Sequence, residues 1–246
     1  MTLPQRALII FPTYNEKDNI EQIVHAVLPL DARIHVLIVD DNSPDGTADI
    51  VKKLQSSNPN LSLIERAGKL GLGTAYSEGF KWALSRDYEF IYEMDADLSH
   101  DPNDMVRLFK ACREDGADVA IGSRYISGVN VVNWPLSRVL MSYIASIYVR
   151  TITGMKIMDT TAGFICYKRE VLERIQPYKI RSVGYGFQIE MKFTAWRLGY
   201  KIVEIPIIFT DRRLGASKMT GGIFNEALWG VLRMKLRSIF TKYPAR

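Results

Sequence analysis

Two carboxylates with a single alanine between them, Asp95-Ala96-Asp97, follow directly on the apolar run 90–94. Carboxylates this close repel each other unless a cation sits between them. Oxygen-only ligands suit Mg2+ or Mn2+, which take a few carboxylates and leave positions for the phosphate oxygens of a substrate. Ser99 and His100 follow closely enough to contribute. The bland alternative is a solvated acidic turn, since an Asp-x-Asp triplet often arises by chance. A second acidic pair, Asp40-Asp41, closes the apolar run 34–40. It stands where dinucleotide folds hold a ribose with an acidic side chain. It would serve equally as an Asx turn into Ser43-Pro44-Asp45-Gly46.

Several cations are placed to meet phosphate. Arg124 sits in Gly122-Ser123-Arg124-Tyr125, and Arg212 and Lys218 bracket a loop containing Gly215. Arg138 and Ser142 are four apart, so on a helix they share a face. Arginine grips phosphate in bidentate fashion, whereas lysine acts as a point charge. A surface salt bridge is the default for any one of them; the weight lies on the set. The glycines of the segment 68–73 satisfy neither the dinucleotide nor the P-loop fingerprint. The turn after the first strand, Pro12-Thr13-Tyr14-Asn15-Glu16, holds no glycine. A dehydrogenase and a P-loop ATPase are therefore disfavoured, and close backbone packing is the expected use of those glycines.

These residues need a scaffold that gathers strand ends. The segments 6–11, 34–40, 61–65, 90–94 and 119–121 are short apolar runs bounded by turn residues, and are predicted as strands. Helices are predicted over 16–28, from the Asp45-Gly46 turn to about 57, over 73–85 and over 102–114. This alternation implies an α/β fold, a mostly parallel central sheet with helices on both faces. Ligands of such sheets lie at the carboxyl ends of the strands. Pro12 to Glu16, Asp40-Asp41, Asp95 to Asp97 and Arg124 all fall there. Beyond Tyr125 the reading is a helix over 135–153, a strand over 163–167 and an amphipathic helix over 186–198. A strand over 201–209, bent or at an edge because of Pro206, and a last helix over 222–241 complete it.

A length of 246 residues with 47% hydrophobic content fits one soluble globular domain. The two cysteines, Cys112 and Cys166, lack metal-ligand spacing and are read as buried thiols in a reducing cytoplasm. The first residues lack the pattern of a signal peptide. The longest apolar-leaning stretch, 139–149, covers at ~1.5 Å per residue about half of a ~30 Å hydrocarbon core, so no transmembrane helix is predicted. The net charge of +5 is uneven: the segment 181–246 holds 12 Lys and Arg against 4 Asp and Glu. That points to phosphate-bearing partners, or simply to a well-solvated face. Nucleic acid is disfavoured, because the cations lack an aromatic-interleaved platform.

Taken jointly, Pro12-Thr13-Tyr14-Asn15-Glu16, the run from Val39-Asp40-Asp41 to Thr47, Asp95-Ala96-Asp97-Leu98-Ser99-His100 and Gly122-Ser123-Arg124-Tyr125 resemble the dolichol-phosphate mannosyltransferases. So do Asn133-Trp134-Pro135, Asp159-Thr160-Thr161-Ala162-Gly163-Phe164 and the run Arg212 to Lys218. These are inverting family-two glycosyltransferases with a GT-A, Rossmann-like fold. The resemblance implies transfer of mannose from GDP-mannose to a polyprenyl or dolichyl phosphate. It implies a GT-A domain over 1–218 and a C-terminal amphipathic helix over 219–246. Pro12, Tyr14, Glu16, Val39 and Asp41 would line the nucleoside pocket, with Ala96 beside the nucleotide-sugar. Asp95 and Asp97 would hold Mg2+ or Mn2+, with Asp97 also near the sugar. Ser99 stands where some relatives carry a glutamine ligand, and it is short enough for water to bridge. Arg212 and Lys218 would meet the donor diphosphate; Arg124, Arg138 and Ser142 would receive the acceptor phosphate. Asp97, Arg124 and Arg212 form the expected catalytic set. A lipid monophosphate, with a second pKa of about 6, is anionic near neutral pH and needs no protein base. Glu190 is accordingly read as structural.

The acceptor's tail implies a membrane surface as partner and a peripheral location on its cytoplasmic face, with room for a separate membrane-anchoring subunit. On the last helix Phe224, Leu228, Leu232, Leu236 and Ile239 fall largely on one side, to pack on the core or meet lipid. The alternatives are a UDP-glucose-dependent polyprenyl-phosphate glucosyltransferase and a non-catalytic, membrane-associated sugar-nucleotide-binding protein.

Overall fold

Strand β1 (Ala7–Thr13) and strand β2 (Ile34–Asp40) are buried along almost their whole length, as expected of apolar runs covered on both faces. The computed structural model describes residues 6–176, 180–182, 184, 186–211 and 222–244. Helix α1 (Ile20–Val27) joins the first two strands; α2 (Thr47–Gln55) leads to β3 (Leu61–Glu65), and α3 (Leu72–Leu84) to β4 (Phe90–Glu93). Helix α4 (Asp104–Arg113) precedes β5 (Val119–Ser123), and the short β6 (Val131–Val132) precedes α5 (Leu136–Thr153). Then come β7 (Ile165–Lys168), α6 (Arg169–Ile175), α7 (Gly186–Arg197), β8 (Ile202–Pro206), β9 (Phe209–Thr210) and α8 (Gly222–Phe240).

The main sheet has the order β3-β2-β1-β4-β7-β5-β8, and β6 pairs with β9 in a small second sheet. The chain moves outward from β1 through β2 to β3, then returns to place β4 on the other side of β1. The crevice between β1 and β4 is therefore a topological switch point, where α/β sheets bind ligands. Strand β7 alone runs antiparallel, between β4 and β5, with Ile165 opposite both Glu93 and Ile121. An antiparallel strand begins where its parallel neighbours end. The turn before β7, residues 159–164, is thus delivered between the carboxyl ends of β4 and β5.

Side chains alternate across the strands with period two. Leu8, Ile10, Leu37 and Val39 pack with Tyr76, Phe80 and Phe187 on one face, and Ile9, Phe11 and Ile38 with Ile20 and Met105 on the other. Of the glycines in segment 68–73, Gly73 bears out the close-packing reading and Gly68 does not, having open space where a Cβ would stand. Gly79 of α3, outside that segment, is packed as closely as Gly73. A Cβ on Gly73 would lie 2.8 Å from Phe187, and one on Gly79 2.7 Å from Ile10.

The second half departs from expectation in two places, and on the last helix it separates two alternatives. Helix α7 is buried nearly all round, from Phe187 to Phe193, rather than amphipathic; it is wedged between α3, α6 and α8. The strand expected over 201–209 is split: Pro206 ends β8 at the sheet edge, and β9 turns to pair with β6. On α8, Val231, Met234 and Ser238 face the core, while Leu236 and Ile239 of the expected stripe stand exposed. Among the described residues no helix is long and apolar enough to cross a membrane.

Candidate active site

The loops after β1, β2 and β3 form one wall of the switch-point crevice. Backbone N–H groups of Asn15, Glu16 and Lys17 donate to Ser43 Oγ, Thr47 Oγ1 and the Asp45 carboxylate at 3.0–3.1 Å, stitching the first loop to the second. Asp40 is consumed by this turn, accepting from Thr13 Oγ1, Ser43 N–H and Ser43 Oγ at 2.6–2.8 Å. The Asx-turn reading therefore holds for Asp40. Asp41 does something else: its carboxylate lies 2.8 Å from Arg66 Nη1, with both side chains buried. Burial pushes the Asp41 carboxyl up, against the pull of Arg66 and the Leu70 N–H. Arg66 also reaches Glu78 at 3.3 Å. Beside it, Lys69 Nζ lies 4.7 Å from the centre of the Tyr14 ring. Pro12 is partly exposed next to this wall, and Val39 is fully buried. Buried Glu16 accepts from Asn19 Nδ2 at 2.8 Å, so its carboxylate is tied to the start of α1.

The second wall is the exit of β4. Tyr76 donates its hydroxyl to the Met94 carbonyl at 3.2 Å, Leu98 adopts φ 58°, and Ser99 N–H donates to Asp97 Oδ1 at 3.1 Å. Ala96, Asp97 and Ser99 are buried and Asp95 is partly exposed. Ser99 Oγ has no hydrogen-bond partner among the described residues. An unpaired buried hydroxyl costs about 1–3 kcal/mol, and an oxygen two residues from Asp97 is one that a hard cation would take. No group of three His, Cys, Asp or Glu side chains converges among the described residues. The protein thus offers two carboxylates and a hydroxyl, a sparse set that fits Mg2+ or Mn2+ when phosphates complete the shell. His100 lies 5.1 and 5.0 Å from the rings of Phe164 and Phe209, and burial brings its pKa down to about 4, leaving it neutral.

The third wall is the turn delivered by β7. Arg124 donates from its backbone N–H, Nε and Nη2 to the Asp159 carboxylate at 3.0, 2.7 and 2.7 Å, and from Nη2 to Thr161 Oγ1 at 2.9 Å. Burial alone would raise the Asp159 carboxyl; the Arg124 guanidinium outweighs it and holds the group below the usual carboxylate range. Gly163 leaves room here, since a Cβ on it would approach Asp95 Oδ2 at 3.9 Å and Gln188 Nε2 at 3.8 Å. Arg138 stacks 4.1 Å from the Trp134 ring and donates to Asp211 at 2.8 Å. Ser142, one turn on, faces the Tyr125 hydroxyl. The expected acceptor residues therefore share one region, though Arg124 and Arg138 both arrive already engaged with carboxylates. Arg212 and Lys218 lie outside the described residues. Glu190 accepts from the N–H groups of Arg181 and Ser182 at 3.2 and 2.9 Å, as fits a structural role.

Arg66, Asp159, Gln188 and Lys192 have places here that residue type and spacing did not reveal. Arg66 follows β3 directly, so the strand-end rule that found Asp41 was the available signal. Asp159 is marked only as part of the family pattern, and nothing local marks Gln188 or Lys192, because β7 and α7 reach the site through long-range packing.

A mostly parallel sheet with one reversed strand, bearing paired carboxylates at the switch point, defines a nucleotide-dependent transferase fold of GT-A type. The model of the family "Glycosyl transferase family 2" matches residues 8–176, and the chain belongs to that family. It is 45% identical over 95% of its length to polyprenol monophosphomannose synthase of Mycolicibacterium smegmatis, covering 88% of that protein. It is 43% identical over 98% of its length to undecaprenyl-phosphate mannosyltransferase of Micrococcus luteus, covering 98% of that protein. Among solved structures, glucosyl-3-phosphoglycerate synthase from Mycobacterium tuberculosis, in complex with Mn2+, uridine-diphosphate and glucosyl-3-phosphoglycerate, aligns with a TM-score of 0.69 at 17% identity. That alignment covers 94% of this chain and 80% of the other, a likeness of fold.

Proposed function

We propose that this protein transfers mannose from GDP-mannose to the phosphate of a polyprenyl or dolichyl phosphate, with inversion at the anomeric carbon. The observation that carries the reading is the near full-length identity of 43–45% to the two mannosyltransferases acting on polyprenyl carriers. The site supports it. Tyr14, Asp41 and Arg66 offer a polar wall for a nucleoside, and Asp95, Asp97 and Ser99 hold a divalent ion, Mg2+ or Mn2+, against the diphosphate. When bound, that ion neutralises charge on the departing nucleoside diphosphate. Arg212 and Lys218 are assigned to the same diphosphate. Arg124, oriented by Asp159, and Arg138 with Ser142 receive the acceptor phosphate. Because that phosphate is already anionic near neutral pH, the protein's contribution is positioning and charge stabilisation.

Membrane contact is assigned to α5 and α8. Leu136, Leu140, Ile144 and Ile147 recur at helical spacing on α5 and are exposed. Trp229, Leu236, Ile239 and Phe240 are exposed on α8, which packs against α5, with Tyr148 donating to the Leu228 carbonyl at 3.0 Å. An exposed apolar stripe of this length beside Arg233, Arg237 and Lys242 suits an interface with anionic lipid. A peripheral position, on the cytoplasmic face, is the location we propose for it.

The deciding experiment incubates purified protein, Mg2+ or Mn2+, and polyprenyl phosphate with GDP-mannose or UDP-glucose in parallel. Lipid-linked mannose from GDP-mannose is expected. Lipid-linked glucose from UDP-glucose alone would overturn the donor assignment, and no product from either would favour a binding protein.

A further inference from the structure

We propose that Lys192 is a positioning residue, whose buried ammonium fixes the turn 159–163 and so sets the geometry between the acceptor-phosphate and metal-binding halves of the site. The inference rests on the transferase reading above. Lys192 lies on α7 and is fully buried, as is Glu93 of β4, the carboxyl group whose field favours the protonated amine. Its Nζ donates to the carbonyls of Ala162 at 2.6 Å, Thr160 at 3.2 Å and Gln188 at 3.3 Å. An ammonium has three donors, and all three are used.

Two of those carbonyls belong to one turn, and both ends of that turn matter to the site. Asp159 at its start is the bidentate partner of Arg124, and its own N–H is held by Glu204 Oε1 at 2.9 Å. Gly163 at its end lies against Asp95. Burying a charge pair in a core is rarely worthwhile for stability alone, because well-packed apolar side chains serve as well or better. An apolar side chain has no means of fixing two carbonyl oxygens in space; an ammonium does. Among the described residues, the hydrogen bonds of Lys192 Nζ do not reach the nucleoside wall, built on the loops after β1, β2 and β3. Its effect should therefore fall on the acceptor side.

The test compares wild type with a Glu93→Gln/Lys192→Met pair variant, which removes both buried charges together. Polyprenyl-phosphate and GDP-mannose kinetics are measured alongside calorimetric binding of GDP with Mg2+. Loss of turn geometry is expected to raise KM for the lipid phosphate about tenfold and lower kcat further, leaving GDP binding and the GDP-mannose KM within about threefold. A second measurement places Lys192→Met in an Arg124→Lys background. Its cost there should be well below its cost alone, the coupling expected of residues acting through one another. Should the pair variant fail to fold, Lys192→Arg carries the same expectation, since it keeps the charge and moves the donors. Additive effects of Lys192→Met and Arg124→Lys, or a fall in kcat matched by lost GDP binding at unchanged acceptor KM, would overturn the inference alone. A wild type that transfers no hexose would remove the transferase reading, and this inference with it.

Discussion

Asp41 and Arg66 show at the residue scale a buried site carboxylate whose desolvation a neighbouring guanidinium only partly offsets. Both side chains are under a tenth exposed, so the pair is little screened by solvent, and removing Arg66 takes from Asp41 the cation beside it, whereas Arg66 also has Glu78. Arg66→Met is expected to cost about 3–5 kcal/mol in urea denaturation, with most of it recovered when Asp41→Asn is added. Asp97→Ala should abolish transfer while shifting the melting temperature by no more than a few degrees. Near-normal turnover would refute the metal assignment. Ser99→Ala should cost under about tenfold, because a bridging water can replace a hydroxyl at a hard cation that already keeps several waters. The strand-end rule made Asp95, Asp97 and Asp41 legible from their positions alone. Arg66 stood at an equivalent place without a motif, and Asp159 was visible only within a family pattern.

The elements carry different risks. Helix α3 approaches the sheet and α7 so closely that Gly73 has no room for a methyl group beside Phe187, a side chain with no exposure of its own. Gly73→Ala should therefore destabilise by about 1–3 kcal/mol through overpacking, measurable in thermal melts. On α5 the expectation is the opposite, since Leu140 and Ile144 are half exposed. Leu140→Asp with Ile144→Asp should leave the melting temperature nearly unchanged and sharply reduce co-sedimentation with anionic vesicles. Unaltered sedimentation would remove α5 from the interface. Period-two and period-3.6 patterns located most of these elements. They misjudged α7, because a helix surrounded by other helices shows no polar face, and its long polar residues, Gln188 and Lys192, are spent inside.

For the whole molecule, the Arg124–Asp159 pair links the site to acid stability. The native Asp159 carboxyl lies below its unfolded value of about 3.9, so its contribution is complete above that value and is lost as pH falls through the native one. Urea-melt stability of Asp159→Asn should accordingly lie below wild type near neutrality. The gap should close as pH drops below about 4. A gap that persisted at the lowest pH would place the effect in packing.

The paired carboxylates were determined by local order: an apolar strand followed at once by Asp95-Ala96-Asp97 defines a strand-end acidic site wherever the chain folds. Alternation of strand and helix likewise determined a mostly parallel sheet. Only the tertiary structure decided that β7 enters reversed between β4 and β5, and with it which turn completes the site. Strand order is set by how whole faces pack, and that information is spread over residues far apart in the chain. The same holds for the partners of Arg124 and Lys192, where burial, rather than residue type, determines what each charge must hold.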